Sequence, residues 1–216
     1  SEAALGLQRY LVNAARADTA LEPDRRLRRW ASALVNLGAN HLNRGELDAA
    51  ADAFEQAATV PQLTSAATGD LAIVRRQQRR WSDAEALFRQ ADALYRAEGA
   101  LYDVHANLAG WVELPRNQAD LDGALDLLRE QERICREIAD PVAIGRALAG
   151  QAVVLSDRGR PSEALPLLDA YADICRAEGD LRGLAEARLN GAAARFESGD
   201  VAGGGEIMTA LAAGAD

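Results

Sequence analysis

The chain has 216 residues, 49% hydrophobic and 26% charged, and this globular composition excludes an intrinsically disordered protein. Aromatic residues make up only 5% while alanine and leucine recur throughout, which favours an all-α fold over a β-sandwich or β-barrel. The formal net charge of −9 would repel nucleic acid and anionic membrane surfaces, so we expect neither as a partner. No window approaches the roughly 20 consecutive apolar residues of a membrane span, and charged residues interrupt the first twenty residues, which predicts a cytoplasmic protein.

Apolar residues recur at spacings of three and four along almost the whole chain, a pattern typical of amphipathic helices. Short segments rich in glycine, proline, aspartate, asparagine or arginine interrupt this pattern. Together these features predict eleven helices, at about residues 2–18, 24–44, 47–60, 63–79, 81–98, 101–114, 120–138, 141–158, 161–178, 181–198 and 201–213.

An internal repeat underlies the helical pattern. The segments 94–100, 134–140 and 174–180 are similar in sequence and start 40 residues apart. An alanine followed four residues later by a large apolar residue recurs as well, and because residues four apart share a helix face, each pair predicts a buried contact. A fixed period of this length is typical of a solenoid. The pairs are Ala50 with Phe54, Ala84 with Phe88, Ala124 with Leu128, and Ala164 with Leu168.

The repeats resemble the tetratricopeptide repeat (TPR) family over roughly residues 24–213. The repeat beginning at Ala31 carries the family pattern most fully, with Leu34, Leu37, Gly38, Gly45, Ala50, Phe54, Ala57 and Pro61. In the next repeat Arg79 replaces the usual turn glycine. The later repeats look like the lengthened 40-residue variety found in sensor regions of bacterial signalling and regulatory ATPases.

The resemblance implies an all-α, right-handed superhelix of about five helix pairs plus an extra N-terminal helix. The repeats would form a single domain over residues 1–216. Because the first helix lacks a partner of its own repeat and neither end carries a strong cap, we expect the chain to be a piece of a longer protein. The expected repeats span about residues 24–61, 62–98, 101–138, 141–178 and 181–213.

We find no motif that carries chemistry, and we expect no enzyme, catalytic residue, cofactor or metal. The chain contains no lysine, which excludes Schiff-base chemistry and a phosphate-loop lysine. His41 and His105 lack a second ligand at helical spacing, so packing or surface roles are favoured. Cys135 and Cys175 occupy equivalent positions in neighbouring repeats, which predicts buried free thiols too far apart for a disulfide.

Two arginine clusters run against the acidic net charge. Arginine occupies positions 25, 26, 28 and 29 before Trp30, and positions 75, 76, 79 and 80 before Trp81. Like charges four residues apart on a helix repel, so each cluster needs compensation. One interpretation is bridging to acidic residues of neighbouring helices, and the other is a site for a carboxylate or an acidic peptide.

In the TPR family the first helix of each repeat lines a concave groove, which implies a binding face here. The ligand would be a protein or peptide, including a segment of the parent chain, and Asn36 and Asn190 match a position that holds a ligand backbone in related proteins. The alternative function is self-association through end helices, for which Leu7 and Tyr10 are the candidates on the first helix. The implied groove residues are Val35, Asn36, Ala39, Asn43, Ile73, Arg76, Gln77, Glu113, Arg146, Val153, Asp157, Asn190, Ala193 and Glu197.

Overall fold

The computed structural model describes residues 2–213, apart from the side chains of residues 3, 4 and 7. Within this range the chain forms eleven α-helices and one short 3-10 turn, Pro61–Leu63, and no β-strand. The helices are α1 (Glu2–Ala17), α2 (Pro23–Asn43), α3 (Leu47–Ala58), α4 (Thr64–Gln77), α5 (Trp81–Glu98), α6 (Leu101–Asn117), α7 (Leu121–Glu137), α8 (Pro141–Asp157), α9 (Pro161–Glu178), α10 (Leu181–Glu197) and α11 (Val201–Ala212).

All eleven predicted helices are confirmed, but the predicted end of α6 is wrong. The sequence places that end before Pro115, whereas the helix continues through Pro115 to Asn117. Pro115 lacks the N–H that would donate to the preceding turn and crowds the carbonyl oxygen of residue 111, and the helix ends two residues after it. The chain turns back after α6 at Ala119, where the backbone takes a positive φ of 59°.

The helices fall into two compact units, residues 1–110 and residues 111–216. In unit 1, consecutive helices from α1 to α5 pack against one another, and the first part of α6 follows them. In unit 2, consecutive helices from α7 to α11 pack in the same way. This packing confirms the predicted all-α helical-repeat fold, while the single domain over the whole chain stays a prediction.

The turn inside each helix pair depends on one residue with a left-handed backbone. Glycine supplies it at Gly45, Gly159 and Gly199, with φ values of 75°, 70° and 90°. At the equivalent place unit 1 uses Arg79, with φ 58°. The sequence analysis located this turn correctly despite the missing glycine. We call α2, α4, α6, α8 and α10 the first helices of the pairs.

Small residues let the helices of each pair approach closely. The four alanines of the repeated pairs are all 0% exposed, which confirms their predicted burial. Gly38 in α2 lies against the ring of Phe54 in α3, itself 0% exposed. A Cβ atom on residue 38 would lie only 2.8 Å from that ring, so the contact requires glycine.

We expect Gly38→Ala to lower the free energy of unfolding by about 1–3 kcal/mol, because the added methyl group overpacks the α2–α3 contact. Gly191→Ala is the matched control. Gly191 also lies buried in a helix, α10, but nothing lies within 4 Å of its Cβ position. It should gain about 0.5–1 kcal/mol from helix propensity. Urea unfolding monitored by circular dichroism measures both, and equal effects would contradict the packing argument.

Candidate functional site

The residues implied to line a groove all lie on first helices, and none of them is buried. Unit 1 carries Val35, Asn36, Ala39 and Asn43 on α2 and Ile73, Arg76 and Gln77 on α4. Unit 2 carries Glu113 on α6, Arg146, Val153 and Asp157 on α8, and Asn190, Ala193 and Glu197 on α10. Their exposure is what a binding face requires, and their role stays a prediction.

Unit 2 contains an open cavity of about 570 Å³ on this face. Two residues implied by the sequence, Arg146 and Val153, line it together. Asp157, Asn190 and Glu197 are not part of the lining. The lining residues are Arg116, Arg146, Ala149, Gly150, Val153, Tyr171, Asp180, Arg182, Gly183 and Glu186.

Two glycines of the lining are required by packing beneath the cavity. A Cβ atom on Gly150 would lie 2.7 Å from Cδ2 of Leu128 in α7. A Cβ atom on Gly183 would lie 2.6 Å from Sγ of Cys175 and 2.9 Å from the hydroxyl oxygen of Tyr171. Close helix packing therefore keeps this part of the lining free of side chains.

The charged groups of the unit 2 cavity differ in how they are neutralised. Arg116 pairs with Glu113 at 3.1 Å. Asp180 caps α10 by accepting a hydrogen bond of 2.9 Å from the backbone N–H of Gly183. In contrast, Arg146 and Arg182 are exposed and make no hydrogen bond or ion pair with any described residue. The cavity thus offers two guanidinium groups to an incoming anion.

The sequence analysis missed Arg182 and Glu186, although a signal was present. They lie eight and four residues before Asn190, so all three share one stripe of α10. Extending the implied groove register by two turns toward the helix N-terminus would have found both residues.

In unit 1 the sequence analysis also missed Asp70, on α4. Asp70 lies nine residues before the left-handed turn residue Arg79, as Asn36 does before Gly45 and Asn190 before Gly199. It therefore occupies the position that the resemblance assigns to ligand binding. The half-buried carboxyl group makes no hydrogen bond or ion pair with any described residue. Burial raises its pKa to about 6.

Two buried polar groups lie beside Gly69, the residue before Asp70. A Cβ atom on the preceding Gly69 would lie 3.0 Å from the hydroxyl oxygen of Tyr95 and 3.7 Å from Oδ1 of Asn107. Asn107 is 6% exposed, and its amide nitrogen donates to the carbonyl oxygen of Phe88 at 3.0 Å. Its Oδ1 atom is buried without a hydrogen-bond partner.

The negative charge of Asp70 acts on Tyr95. The pKa of Tyr95 is raised to about 12, mainly by burial and further by the negative charges of Asp103, Asp70 and Glu98. We call the set Asp70, Tyr95 and Asn107 the Asp70 pocket.

In the described part of the chain, internal pairing accounts for four of the eight clustered arginines. Arg75 forms an ion pair with Glu55 of the neighbouring helix α3, which confirms the bridging interpretation there. Arg76 donates to the carbonyl oxygen of Gly110 at 3.2 Å. Arg80 pairs with Asp83 at 2.5 Å in its own helix start, and in the other cluster Arg29 pairs with Asp18 at 3.2 Å.

The cysteines and His41 have structural surroundings. Cys135 and Cys175 are free and buried, as predicted. Burial raises the pKa of Cys135 to about 11 and also raises that of Cys175, so both thiols are poor nucleophiles at neutral pH. The Nδ1 atom of His41, 3% exposed, lies 2.5 Å from Oε2 of Glu46.

Two further searches cover the described part of the chain. No group of three or more histidine, cysteine, aspartate or glutamate side chains there could hold a metal ion. None of the helices in residues 2–213 is both long and apolar enough to cross a membrane.

Comparison with known proteins confirms the TPR resemblance. A family model for the tetratricopeptide repeat matches residues 30–60, which lie in the repeat that carries the fullest pattern. No curated protein sequence matches the chain.

Solved structures extend the similarity to nearly the whole chain. BtubC (BKLC) from P. vanneervenii is 14% identical with a TM-score of 0.78, covering 97% of this chain and 91% of that protein. A signal transduction ATPase with a TPR sensor from Pyrococcus horikoshii is 15% identical with a TM-score of 0.71, covering 94% and 34%. YrrB, a TPR protein with an unusual peptide-binding site, is 14% identical with a TM-score of 0.60, covering 92% and 89%. These similarities establish a TPR-like fold.

We expect Asp70→Asn to stabilise the protein at pH 8 by about 1–3 kcal/mol, because the pKa shift of Asp70 disfavours its ionised form in the folded state. A folded-state pKa above the unfolded value stabilises the fold at low pH, and this stabilisation is lost as the pH rises through about 6. The difference between variant and original chain should therefore vanish toward pH 4. Urea unfolding from pH 4 to 8 measures it.

The control for this measurement is Asp52→Asn, which removes the same charge from an exposed position on α3. It should leave the pH dependence of unfolding unchanged. If the free energy of unfolding of both variants depends on pH in the same way, ionisation of Asp70 does not destabilise the folded protein as predicted.

Proposed function

We propose that this chain is a non-catalytic module that binds a protein or peptide on the face formed by its first helices. The observation that carries the proposal is the unit 2 cavity, where Arg146 and Arg182 have no partner among the described residues. A guanidinium group binds a carboxylate through two parallel hydrogen bonds, so an acidic side chain or a chain terminus fits these residues. The remaining implied groove residues would contact the rest of the ligand.

Similar proteins support a binding role. YrrB carries a peptide-binding site by its description, and the ATPase from Pyrococcus horikoshii uses its TPR region as a sensor. The ligand of this chain would accordingly be a separate protein or a segment of the same parent chain. The two free, buried thiols are typical of a reducing compartment, and we place the protein in the cytoplasm.

A second candidate function is self-association through the end helices. Within the described residues α1 packs only against α2, and α11 only against α10. Their free faces expose large apolar side chains: Tyr10 is 68% and Leu11 39% exposed on α1, and Val201 is 65% and Met208 43% exposed on α11. Uncovered apolar helices at solenoid ends favour contact with another chain. The side chain of Leu7, a further candidate, lies outside the described residues.

The groove proposal predicts that random linear peptides displayed on phage can be selected with the full chain. We expect the double variant Arg146→Gln, Arg182→Gln to weaken binding of the selected peptides about tenfold or more, because charged hydrogen bonds are lost. Fluorescence polarisation with synthetic copies of the peptides measures the affinities.

The matched control is Arg129→Gln on α7, where Arg129 is exposed and pairs only loosely with Asp126 at 3.4 Å. It should bind as the original chain does. Failure to select any peptide, or equal affinities for the double variant and the original chain, would argue against the groove.

The self-association candidate predicts that the mass measured by light scattering rises with protein concentration. Tyr10→Ser should then lower the mass, since it removes the largest exposed apolar side chain of α1. Tyr102→Ser, which alters a side chain of 65% exposure at the start of α6, should not. A constant monomer mass over the whole concentration range would rule this candidate out.

A further inference from the structure

The Asp70 pocket differs from the same place in the other repeats. Asn107 lies twelve residues before its turn residue, Ala119, and the residues at equivalent positions on the other first helices are all alanine. Three of these alanines are at most 2% exposed. They are Ala67, Ala147 and Ala187, with Ala33 on α2 in the same register.

Tyr95 is a second departure at the same place. It lies four residues before Gly99, where the later repeats have the buried Cys135 and Cys175. Asp70 adds a carboxyl group where the equivalent residues Gly110 and Gly150 have no side chain, while Asn36 and Asn190 at the same register carry amides. The three hydrogen-bonding groups come from two neighbouring repeats, Asp70 and Tyr95 from one and Asn107 from the next.

These groups contain more acceptors than donors. Among the described residues neither the carboxylate of Asp70 nor Oδ1 of Asn107 has a partner. The donors of the set are the hydroxyl group of Tyr95 and the amide nitrogen of Asn107, which already donates to Phe88. Glu98 and Asp103 add negative charge near Tyr95, although Ser65 donates to Glu98 at 3.1 Å. A buried acceptor without a donor costs stability, so a donor from outside the chain would relieve the deficit.

Neighbouring arginines do not supply that donor. On α4 itself, Arg75 is paired with Glu55 and Arg76 donates to the carbonyl oxygen of Gly110. The chain contains no lysine that could reach the pocket.

We propose that Asp70, Tyr95 and Asn107 form a binding site for a cationic side chain, the guanidinium group of an arginine or the ammonium group of a lysine in the bound peptide. The cation would donate to the carboxylate of Asp70 and to Oδ1 of Asn107, the two acceptors that lack a partner. Glu98 and Asp103 would strengthen the negative potential that attracts it. The inference rests on the proposed peptide-binding function and assigns unit 1 a role in selecting basic residues.

The test uses nitrogen-15-labelled full-length chain and two short capped peptides, acetyl-Gly-Gly-Arg-Gly-Gly-amide and its copy with citrulline in place of arginine. Citrulline keeps the shape of arginine but carries no charge. We expect the arginine peptide to shift the amide resonances of α4 and of the start of α6 in a saturable manner, and the citrulline peptide to leave them unchanged. A lysine peptide tests the ammonium group in the same way.

Three variants locate the site. Asp70→Asn should weaken binding of the arginine peptide about tenfold or more, since it removes the charge from the hydrogen-bond acceptor. Asn107→Ala, which installs the residue of the other repeats, should weaken it as well. Asp52→Asn, an exposed carboxylate on α3, should leave the affinity unchanged.

The outcomes separate this site from the groove as a whole. Equal shifts with citrulline, equal affinity in Asp70→Asn, or no shift with the arginine peptide would overturn the cation site, even if display selections yield groove-binding peptides. Conversely, saturable arginine binding that depends on Asp70 supports the cation site even if Arg146 and Arg182 prove unimportant for the selected peptides.

Discussion

Close helix packing is the constraint on which the rest of this structure depends. Residues with little or no side chain stand where helices meet, as Ala50 and Gly38 do beneath Phe54. The same requirement keeps Gly150 and Gly183 free of side chains under the unit 2 cavity. Small residues recur at these contacts with the period of the sequence, so each first helix exposes the same register positions to solvent. The packing therefore determines which positions of the first helices are exposed, and the chemistry of the surface depends on the residues at those positions.

Departures from the repeat pattern are consequently more informative than the pattern itself. Where Ala67, Ala147 and Ala187 pack as small apolar residues, Asn107 buries an amide oxygen without a partner. An alanine at this place is evidently compatible with the fold, since the other repeats have one. The amide nitrogen of Asn107 donates to the carbonyl oxygen of Phe88, but its Oδ1 atom has no such partner. A buried acceptor without a donor costs stability in the free protein, and a ligand that donates to it would remove that cost.

Much of the fold could be predicted from the sequence because its signals are local. The three- and four-residue spacing gave all eleven helices, and the turn at Arg79 was located by register even without a glycine. Pro115 misled the analysis, since a proline favours a helix end before it without requiring one, and the helix continues two residues past it. The candidate sites were predicted only in part: Arg146 and Val153 were found, whereas Asp70 and Arg182 were not. Helical spacing shows which charges could pair along a helix but not which pairs form, since Arg182 lies four residues before Glu186 and makes no ion pair with it.

The two sites differ in what they cost the unbound protein. Arg146 and Arg182 are exposed, and water solvates their charges at little expense in the unbound protein. Asp70 is half-buried, and its raised pKa shows that the fold disfavours its charge. A cation bound there would remove that penalty, and the relief would add to the affinity for a basic side chain. Unit 1 would therefore select a basic side chain through a carboxylate whose charge is disfavoured in the unbound protein. Unit 2 would select an acidic group through exposed guanidinium groups, whose charges carry no such penalty.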